Sequence, residues 1–436
     1  MGRAYVETYG CWLAKADAEV IRQRLGYEEA STAEEADLVL VYTCAVREDG
    51  EVRQLARIRE LATLGKEMVV AGCLVRLRPY TVKTAAPRAR LLYPAEVEGG
   101  REREMRILPR HDGGVIYTVP LQVGCLGNCT FCATKYTRGG AGYVRSAAPD
   151  DVVRHVKEAV ARGAKEIYLT GQDVITYGFD MRWRRGWTLP DLLERILREV
   201  DGEYRVRIGM SEPWVFEKFA DQLLDVVKRD ERVYRYFHLP VQSGSDRVLR
   251  AMGRRYTADE YRALVRKIRR ELGEQVFIAT DIIVGFPGED EEDFAETVKL
   301  VQELQFDKVH VARFSPRPFT EAAVMPRQVP DAEKKRRSKI LSQLALKIAH
   351  LRNGLRVGQR DVLLIDEVDH GLVVGRSSDY RQVVVKRGAG DGLIGAFVEA
   401  TLVAAGPVYL YGEIIEEPVP RGISWRPSGS VARQAS

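Results

Sequence analysis

Three cysteines stand close together in the segment LQVGCLGNCTFCATKYTRGG, residues 121–140. Cys125, Cys129 and Cys132 have the spacing C-x-x-x-C-x-x-C, and thiolates this close favour zinc or an iron–sulfur cluster. Structural zinc usually takes four ligands in paired C-x-x-C knuckles, whereas the nearby sequence offers three cysteines and no histidine at a suitable spacing. The spacing therefore favours a cluster with one iron that no protein ligand holds, free to bind a substrate or cofactor.

Cys11, Cys44 and Cys73 each follow a short apolar run that is typical of a strand buried on both faces. These runs are 4–8, 38–44 and 67–73, and helical segments are expected at 16–26 and 46–64. The alternation predicts a small parallel α/β sheet, and the carboxyl ends of its strands share one edge, where the three thiols could converge. A strand-end thiol is more often simply buried, so a purely structural role remains the alternative for any one of these cysteines.

Strand-like and helical segments alternate through the middle of the chain. The strands are expected at 115–120, 166–170, 205–210, 235–241, 276–284 and 307–314. The helices are expected at 149–162, 188–200, 214–228, 245–251, 257–272 and 290–304. These βα units predict an open (β/α)6 barrel whose chemistry lies at the carboxyl ends of the strands, and the cysteine-rich loop follows the first strand.

A basic helix precedes a series of short alternating strands that Gly and Asp turns separate. These strands are expected at 361–366, 371–376, 382–387, 397–404 and 409–415, and they predict a small antiparallel β-barrel. The whole chain is therefore expected to be of the α/β class. Its predicted domains are 1–112, 113–345 and 346–416, followed by a flexible tail at 417–436.

The composition is that of a globular protein with two or three domains: of 436 residues, 45% are hydrophobic and 30% charged. Lys and Arg number 67 against 62 Asp and Glu, so the net charge of +5 indicates a polyanionic partner only where basic residues cluster. No stretch reaches the roughly 18 apolar residues of a membrane span, and the N-terminus lacks the apolar core of a secretion signal. We therefore expect a cytoplasmic protein without a membrane partner, whose cysteines are ligands or buried thiols.

The C-x-x-x-C-x-x-C loop after the first barrel strand resembles the cluster loop of radical S-adenosylmethionine (SAM) enzymes. Further segments are similar to those of the methylthiotransferase family: ETYGC, TCAVRE, AGC, LTGQDVITYG, HLPVQSGSDRVLRAMGRRYT, TDIIVGFPGEDEEDF and FSPRPFTEAAVM. The resemblance implies an N-terminal methylthiotransferase domain, a radical SAM core and a C-terminal TRAM domain. It also implies two [4Fe–4S] clusters, held by Cys11, Cys44 and Cys73 and by Cys125, Cys129 and Cys132.

The same resemblance implies that the cluster in the barrel cleaves SAM to a radical, and that a methylthio group is then built onto the substrate carbon. An electron donor such as ferredoxin or flavodoxin is an implied partner. Gly171, Gln172 and Asp173, in LTGQD, occupy the place where relatives bind the amino group of SAM, so they are the expected cofactor-binding residues. A turn that closes a strand is the alternative interpretation. Asp281, at the end of a later strand, could face the same site.

Two positions depart from the family pattern. Members usually have Asn where this chain has Ala14, and Asn where it has Tyr42. Neither residue is an expected ligand. The departures therefore concern the hydrogen bonding around the first cluster rather than its existence.

The TRAM resemblance implies that the chain binds RNA, and basic residues in three segments are candidates for the contacts. These residues are Lys334, Lys335 and Arg336 in the basic helix, Arg182 and Arg184 in MRWRRGW, and Arg376, Arg381, Lys386 and Arg387 in the barrel. A solvated helix face is the alternative interpretation of the helical group.

Two features resemble the archaeal and eukaryotic branch of the family: the Thr134–Lys135 pair after Cys132, and RIGMSEP at 207–213. That branch modifies N6-threonylcarbamoyladenosine next to the anticodon of tRNA. The alternatives within the family are isopentenyladenosine in tRNA and an aspartate of a small-subunit ribosomal protein. An alternative of another class is a non-catalytic RNA-binding protein whose cysteines hold structural metal.

Overall fold

The computed structural model describes residues 2–94, 108–183, 186–369, 372–385 and 391–416. Within these ranges the chain forms a five-stranded sheet, then a group of parallel strands with helices between them, then a closed five-stranded barrel. The predicted α/β fold class and the order of its three parts are confirmed.

The N-terminal part is a parallel sheet with helices on both faces. Its strands are β1 (Arg3–Thr8), β2 (Glu28–Glu29), β3 (Leu38–Thr43), β4 (Glu67–Gly72) and β5 (Arg90–Leu92). Its helices are α1 (Trp12–Leu25), α2 (Glu48–Ala62), α3 (Cys73–Leu77) and α4 (Pro79–Ala85). The strand order is β2-β1-β3-β4-β5, and every residue of the central β3 is buried because the helices cover both faces.

The middle part contains a hairpin and six parallel strands. Its strands are β6 (Ile116–Pro120), β7 (Gln122–Gly124), β8 (Val144–Ser146), β9 (Glu166–Thr170), β10 (Arg205–Ile208), β11 (Tyr236–His238), β12 (Phe277–Val284) and β13 (Lys308–Arg313). Its helices are α5 (Thr134–Thr137), α6 (Pro149–Ala161), α7 (Leu189–Glu199), α8 (Pro213–Arg229), α9 (Asp246–Ala251), α10 (Ala258–Leu272) and α11 (Glu291–Leu304). Strands β7 and β8 pair antiparallel and enclose the cysteine-rich loop.

The six parallel strands form an open barrel. They pair as β6-β9-β10 and as β11-β12-β13, and parallel bridges from Val206 to Val233 and from Met210 to His238 join the two groups. Among these strands, β6 and β13 each pair with a single neighbour, so the ring is open between them. The predicted open (β/α)6 barrel is confirmed.

Side chains alternate between the outside and the lumen of this barrel. Ile167 and Leu169 of β9 belong to the core beneath the helices, as do the apolar residues of β10. Because successive side chains of a strand point to opposite faces, Tyr168 of β9 and Arg207 of β10 face the lumen. The lumen is therefore lined with polar and aromatic groups, whereas the shell outside it is aliphatic.

The C-terminal part is a closed barrel that follows the long helix α12 (Asp331–Gly354). Its strands are β14 (Arg360–Asp369), β15 (Leu372–Arg376), β16 (Gln382–Val385), β17 (Phe397–Ala405) and β18 (Leu410–Glu416). The prediction of a purely antiparallel barrel was wrong in one pair, since β16 and β18 run parallel. An odd number of strands cannot alternate in direction around a closed ring, so at least one pair must be parallel. Helix α12 also runs through the expected boundary at residue 345, and the predicted tail lies outside the described residues.

The closed barrel packs against the amino ends of the parallel strands. Asp307, which precedes β13 and is fully buried, accepts hydrogen bonds from Arg352 (2.9 Å) and Arg381 (2.6 Å). Tyr380 packs edge-on against Tyr234 and Tyr236, with ring centroids 4.9 and 5.0 Å away. The lumen is thus closed at this end, and its accessible mouth lies at the carboxyl ends of the strands.

The N-terminal sheet is fixed to the parallel barrel by buried charges. Arg138, which follows the cysteine-rich loop, donates to Asp17 of α1 (2.8 Å) and to the hydroxyl of Tyr42 on β3 (2.8 Å). Tyr42 donates in turn to Asp17 (2.7 Å), and the Arg138 and Asp17 side chains are 2% and 0% exposed. Tyr42 therefore belongs to the joint between the two parts, which accounts for one departure from the family pattern.

We expect Asp17→Asn to lower the free energy of unfolding by about 3–5 kcal/mol, because it removes the carboxylate charge that lies 2.8 Å from the buried Arg138 guanidinium. Glu399→Gln is the matched control, since the Glu399 carboxylate lies 3.8 Å from Arg360 and both side chains are exposed. The control should cost about 0–1 kcal/mol. Urea unfolding followed by circular dichroism measures both, and equal losses would contradict a joint that depends on this pair.

Candidate active site

The cysteine-rich loop lies at the mouth of the parallel barrel. It follows β7, and its middle is attached to the end of α9, where the Thr130 backbone N–H donates to Met252 (3.0 Å) and its hydroxyl to Ala251 (2.8 Å). These bonds fix the loop over the carboxyl ends of the strands. The predicted position of the cysteines is therefore the observed one.

Gly127 shows how closely the sulfurs of this loop surround one point. Its N–H donates to Cys125 Sγ (3.2 Å), and a Cβ atom at this position would lie 3.3 Å from Cys125 Sγ and 3.6 Å from Cys129 Sγ. Any side chain here would fill the space between the two sulfurs. The loop thus holds an open cradle that a cluster of iron and sulfide fits.

The thiols of this loop also act on each other electrostatically. Burial raises the pKa of Cys132, and the neighbouring Cys129 raises it further. Burial raises the pKa of Cys125 well above its usual value, with Asp173, Cys129 and Cys132 adding to the effect. Three thiolates cannot coexist here without a compensating charge, and metal ligation supplies that charge.

The other three cysteines meet at one edge of the N-terminal sheet. Cys11 follows β1, Cys44 follows β3 and Cys73 begins α3 directly after β4, and these three strands are neighbours. Burial raises the pKa of Cys44 to about 12, with contributions from Cys73 and Cys11. The convergence expected from the strand ends is therefore present in the structure.

Gly10 allows the close approach within this second set. Its φ is +113°, and a Cβ atom would lie 3.0 Å from Cys44 Cβ and 3.2 Å from Cys44 Sγ. A larger residue would push Cys44 away from Cys11, the next residue in the chain after Gly10. The ETYGC segment therefore needs glycine for both its backbone conformation and its packing.

The LTGQD segment lies directly beside the cysteine-rich loop. Gln172 accepts a hydrogen bond from the Gly124 N–H (2.7 Å), and Asp173, which is buried, accepts one from the Glu212 N–H (2.9 Å). A Cβ atom at Gly171 would lie 2.9 Å from the Gln122 carbonyl oxygen. These contacts hold the hairpin in place, as the turn interpretation expects, and SAM binding by these residues stays a prediction.

Two charged residues that the sequence analysis did not identify, Arg254 and Glu212, lie next to the cysteine-rich loop. Arg254 donates to Cys129 Sγ (3.4 Å) and to the Pro240 carbonyl (2.8 Å), and its guanidinium lies 3.3 Å from the Glu212 carboxylate. Burial raises the pKa of the nearby Asp173 to about 7, and Glu212 adds to the effect. The signal for Arg254 was its place in the motif that begins HLPVQSG.

His238, Asp281 and His310 form a polar cluster on the adjacent strands β11, β12 and β13. Their nitrogen and oxygen atoms all lie within 4.8 Å of one another, and His238 Nε2 is 2.9 Å from Asp281 Oδ1. Burial lowers the pKa of His310 to about 4, so its ring is neutral at pH 7. Burial would raise the pKa of Asp281, but His238 holds it below its usual value.

This cluster could be traced only in part from the sequence. The sequence analysis named Asp281 as a residue that could face the site, and the structure places it beside His238 and His310. The two histidines carry a weaker signal, namely polar residues at alternate positions of otherwise apolar strands such as KVHVAR, residues 308–313. The cluster gives the lumen hydrogen-bonding groups for a polar substrate.

A stack of rings and cations connects α1 to the barrel wall. Trp12 stacks on Tyr168 with ring centroids 4.5 Å apart, the Arg207 guanidinium lies 4.0 Å from the Tyr168 ring, and Lys15 Nζ lies 4.2 Å from the Trp12 ring. Burial lowers the pKa of Lys15. In the described part of the chain, no carboxylate forms an ion pair or hydrogen bond with Lys15. It is a cation without a counter-charge beside the lumen.

The structure separates the basic residues expected to bind RNA. In helix α12, Lys335 is exposed, whereas Lys334 is buried 3.3 Å from Asp331 and Arg336 pairs with Glu291 and Glu333. Lys334 therefore contributes to packing within the fold. Arg182 is exposed, in a left-handed backbone conformation with φ 58°. Arg184, Lys386 and Arg387 lie outside the described residues.

Arg376 and Arg381 occupy the interface between the two barrels. Arg381 is buried in hydrogen bonds to Asp307 and Asp379, and Arg376 donates to Asp366 (2.7 Å) beside the Tyr380 ring. A buried guanidinium with satisfied donors offers nothing to a phosphate. Arg381 is therefore enclosed by protein groups and Arg376 is paired with its carboxylate, and RNA contact by either residue stays a prediction.

Comparison with known proteins places these parts in families. The model of the radical SAM superfamily matches residues 119–301, and that of Uncharacterized protein family UPF0004 matches residues 3–93. The radical SAM match implies a [4Fe–4S] cluster and SAM. No helix in the described ranges has the length and apolar character needed to cross a membrane.

Several relatives cover nearly the whole chain. The probable threonylcarbamoyladenosine tRNA methylthiotransferase of Pyrococcus horikoshii is 37% identical over 95% of this chain and 100% of its own length. The protein of that name from Methanocaldococcus jannaschii is 36% identical over 95% and 97%. The tRNA-2-methylthio-N(6)-dimethylallyladenosine synthase of Dictyoglomus thermophilum is 34% identical over 96% and 99%.

A solved structure shares the fold at low sequence identity. The radical SAM methyltransferase TsrM from Kitasatospora setae superposes with a TM-score of 0.52 at 14% identity, covering 74% of this chain and 77% of its own. With two cysteine sets at facing edges, an open (β/α)6 barrel and full-length relatives above 30% identity, this chain belongs to the methylthiotransferase family of radical SAM enzymes.

Proposed function

We propose that this enzyme adds a methylthio group to carbon 2 of N6-threonylcarbamoyladenosine next to the anticodon of tRNA, using two [4Fe–4S] clusters and SAM. The proposal rests on one observation. Each of two parts of the fold brings three cysteines together, and buried charges hold these two parts to each other. When bound, the clusters and SAM supply the radical and the sulfur chemistry. An electron donor such as ferredoxin or flavodoxin provides the reducing electron.

The residues of this chain hold the reactants in place. Cys125, Cys129 and Cys132 would hold the cluster that binds SAM, while Cys11, Cys44 and Cys73 would hold the second cluster. Arg138 and Asp17 fix the two cysteine sets relative to each other. Reacting groups held in a fixed arrangement do not have to meet by diffusion, so the reaction between them is faster.

The enclosure of the lumen limits the access of water to the reaction. The C-terminal barrel covers the amino ends of the strands, and Trp12 stacks on Tyr168 at the barrel wall. A substrate carbon can then enter through the mouth, where both cysteine sets lie. Such an enclosed site suits a radical that would otherwise react with its surroundings.

The names of the relatives support the proposed tRNA substrate and, with it, the proposed cytoplasmic location. They leave two modified adenosines, and the charge at Lys15 favours one of them. Threonylcarbamoyladenosine carries a carboxylate, whereas dimethylallyladenosine carries an apolar, uncharged group. A partly buried lysine without a protein counter-ion is a natural partner for a carboxylate. Dimethylallyladenosine is the second candidate, because relatives of that name are nearly as similar.

Replacement of Cys11, Cys44 and Cys73 together by Ala should remove about half of the bound iron and all of the methylthio product, while SAM cleavage stays measurable. The radical cluster needs only the cysteines of the barrel loop, whereas sulfur insertion needs the N-terminal set. Iron analysis, 5′-deoxyadenosine and methylthio-nucleoside are measured on the same anaerobic preparation.

The matched control is the triple replacement of Cys125, Cys129 and Cys132 by Ala. It should also lose about half of the iron, but it should yield no 5′-deoxyadenosine. Wild-type amounts of methylthio-nucleoside from the N-terminal triple variant would contradict the two-cluster proposal. Loss of all iron and of folded structure in both variants would support a purely structural role for the cysteines.

Lys15→Gln should lower kcat/KM for tRNA that carries threonylcarbamoyladenosine by about 10- to 100-fold, since a charged hydrogen bond is lost. Lys15→Arg keeps the charge and should retain most of the activity. The readout is the ratio of kcat/KM for threonylcarbamoyladenosine tRNA to that for dimethylallyladenosine tRNA. An unchanged ratio in Lys15→Gln would mean that this residue does not read the carboxylate.

A further inference from the structure

A basic groove lies beside the mouth of the parallel barrel, outside the site described above. Its volume is about 320 Å³, and it is formed by the loop before α2, the end of β13 and one face of α12. The residues that line it are Arg47, Val311, Arg313, Lys335, Ser338, Lys339 and Ser342. Four of these seven residues are cationic, two are hydroxyl donors, and none is acidic.

Some basic residues of helix α12 line this groove, whereas others form ion pairs within the protein. Lys335, Ser338, Lys339 and Ser342 follow the i, i+3, i+4, i+7 pattern, so they share one face of the helix. In the basic run KKRR, the residues on other faces pair with carboxylates, as the ion pairs of Arg337 with Glu289 and Glu333 show. The basic run KKRR is therefore not a uniformly solvated face.

The groove keeps cations that the protein itself does not neutralise. Within the described ranges, the side chains of Arg313, Lys335 and Lys339 form no ion pair or hydrogen bond with any other residue, and all three are exposed. Arg47 is partly compensated by Asp49 at 2.7 Å. Three free cations and two hydroxyls around one groove make a site for an anionic ligand with several oxygen atoms.

The position of the groove relates it to the reaction. Arg313 is the last residue of β13, at the carboxyl end of the barrel, and Arg47 follows Cys44 by three residues. Glu51 of α2 pairs with Arg317 beyond β13, so the two walls of the groove are held together. A chain lying in the groove would therefore pass the carboxyl end of β13 and the segment that follows Cys44.

We propose that this groove binds backbone phosphates of the tRNA next to the modified nucleotide. The inference rests on the proposed tRNA substrate. It adds a surface for tRNA that precedes the C-terminal barrel in the chain. Phosphates repeat along a strand and match a groove with several cations, and the hydroxyls of Ser338 and Ser342 add neutral donors. An acidic protein segment would meet the same charges, but it lacks the link to the reaction that the position beside Cys44 provides.

The test measures tRNA affinity against salt concentration for the full-length, cluster-loaded protein. The double variant Arg313→Gln/Lys339→Gln should weaken tRNA binding about tenfold at low salt and reduce the slope of log Kd against log salt by about 1 for each residue. Lys347→Gln is the matched control, because Lys347 is exposed on the same helix but does not line the groove. Iron content and circular dichroism verify that the double variant is folded.

The outcomes separate this inference from the proposed function. A double variant with the slope of the Lys347→Gln control would overturn the groove as a phosphate site while leaving the tRNA substrate intact. A wild-type protein that binds no tRNA would overturn both. A loss of affinity for an acidic polypeptide, with tRNA affinity unchanged, would assign the groove to a protein partner and also overturn the proposal.

Discussion

The buried ion pair between Arg138 and Asp17 is the contact on which the geometry of the site depends. Arg138 belongs to the segment that follows Cys132, and Asp17 lies on the helix that follows Cys11, so the pair ties one cysteine set to the other. The charge of Arg138 also acts on the Cys11 thiol, opposing the effect of burial on its pKa. The sulfur transfer proposed above requires a fixed separation between the two cysteine sets, and a fully buried pair with hydrogen bonds to Tyr42 provides one.

The two ends of the parallel barrel have different tasks. At the amino ends of the strands, the Asp307 carboxylate accepts hydrogen bonds from both Arg352 and Arg381. These bonds hold the closed barrel in place. At the carboxyl ends, Lys15 and three cations of the basic groove, Arg313, Lys335 and Lys339, form no ion pair with any carboxylate in the described ranges. Charge that is neutralised inside the fold holds the parts together, whereas charge left without a partner is available to an anionic substrate.

The sequence was sufficient for the fold and for the grouping of the cysteines, because strand–helix alternation and strand-end positions depend on local pattern. It was poorer for single charged side chains. Whether Arg381 or Lys334 meets RNA or a carboxylate depends on which surfaces pack together, and composition does not reveal that. Likewise Tyr42 looked like a departure from a family pattern, and only the packing shows that its hydroxyl joins Asp17 to Arg138. Nothing in the sequence pointed to Lys15, because the absence of a carboxylate partner among the described residues is a property of the folded chain.

The most direct test of this account is one anaerobic reaction of the cluster-loaded protein with SAM, a reductant and tRNA that carries threonylcarbamoyladenosine, followed by mass spectrometry of the nucleosides. The account predicts a nucleoside heavier by one methylthio group in place of one hydrogen, together with 5′-deoxyadenosine and about eight irons per chain for two clusters. Stoichiometric zinc with no SAM cleavage, or a fully loaded protein that leaves threonylcarbamoyladenosine unchanged while it modifies dimethylallyladenosine, would contradict it.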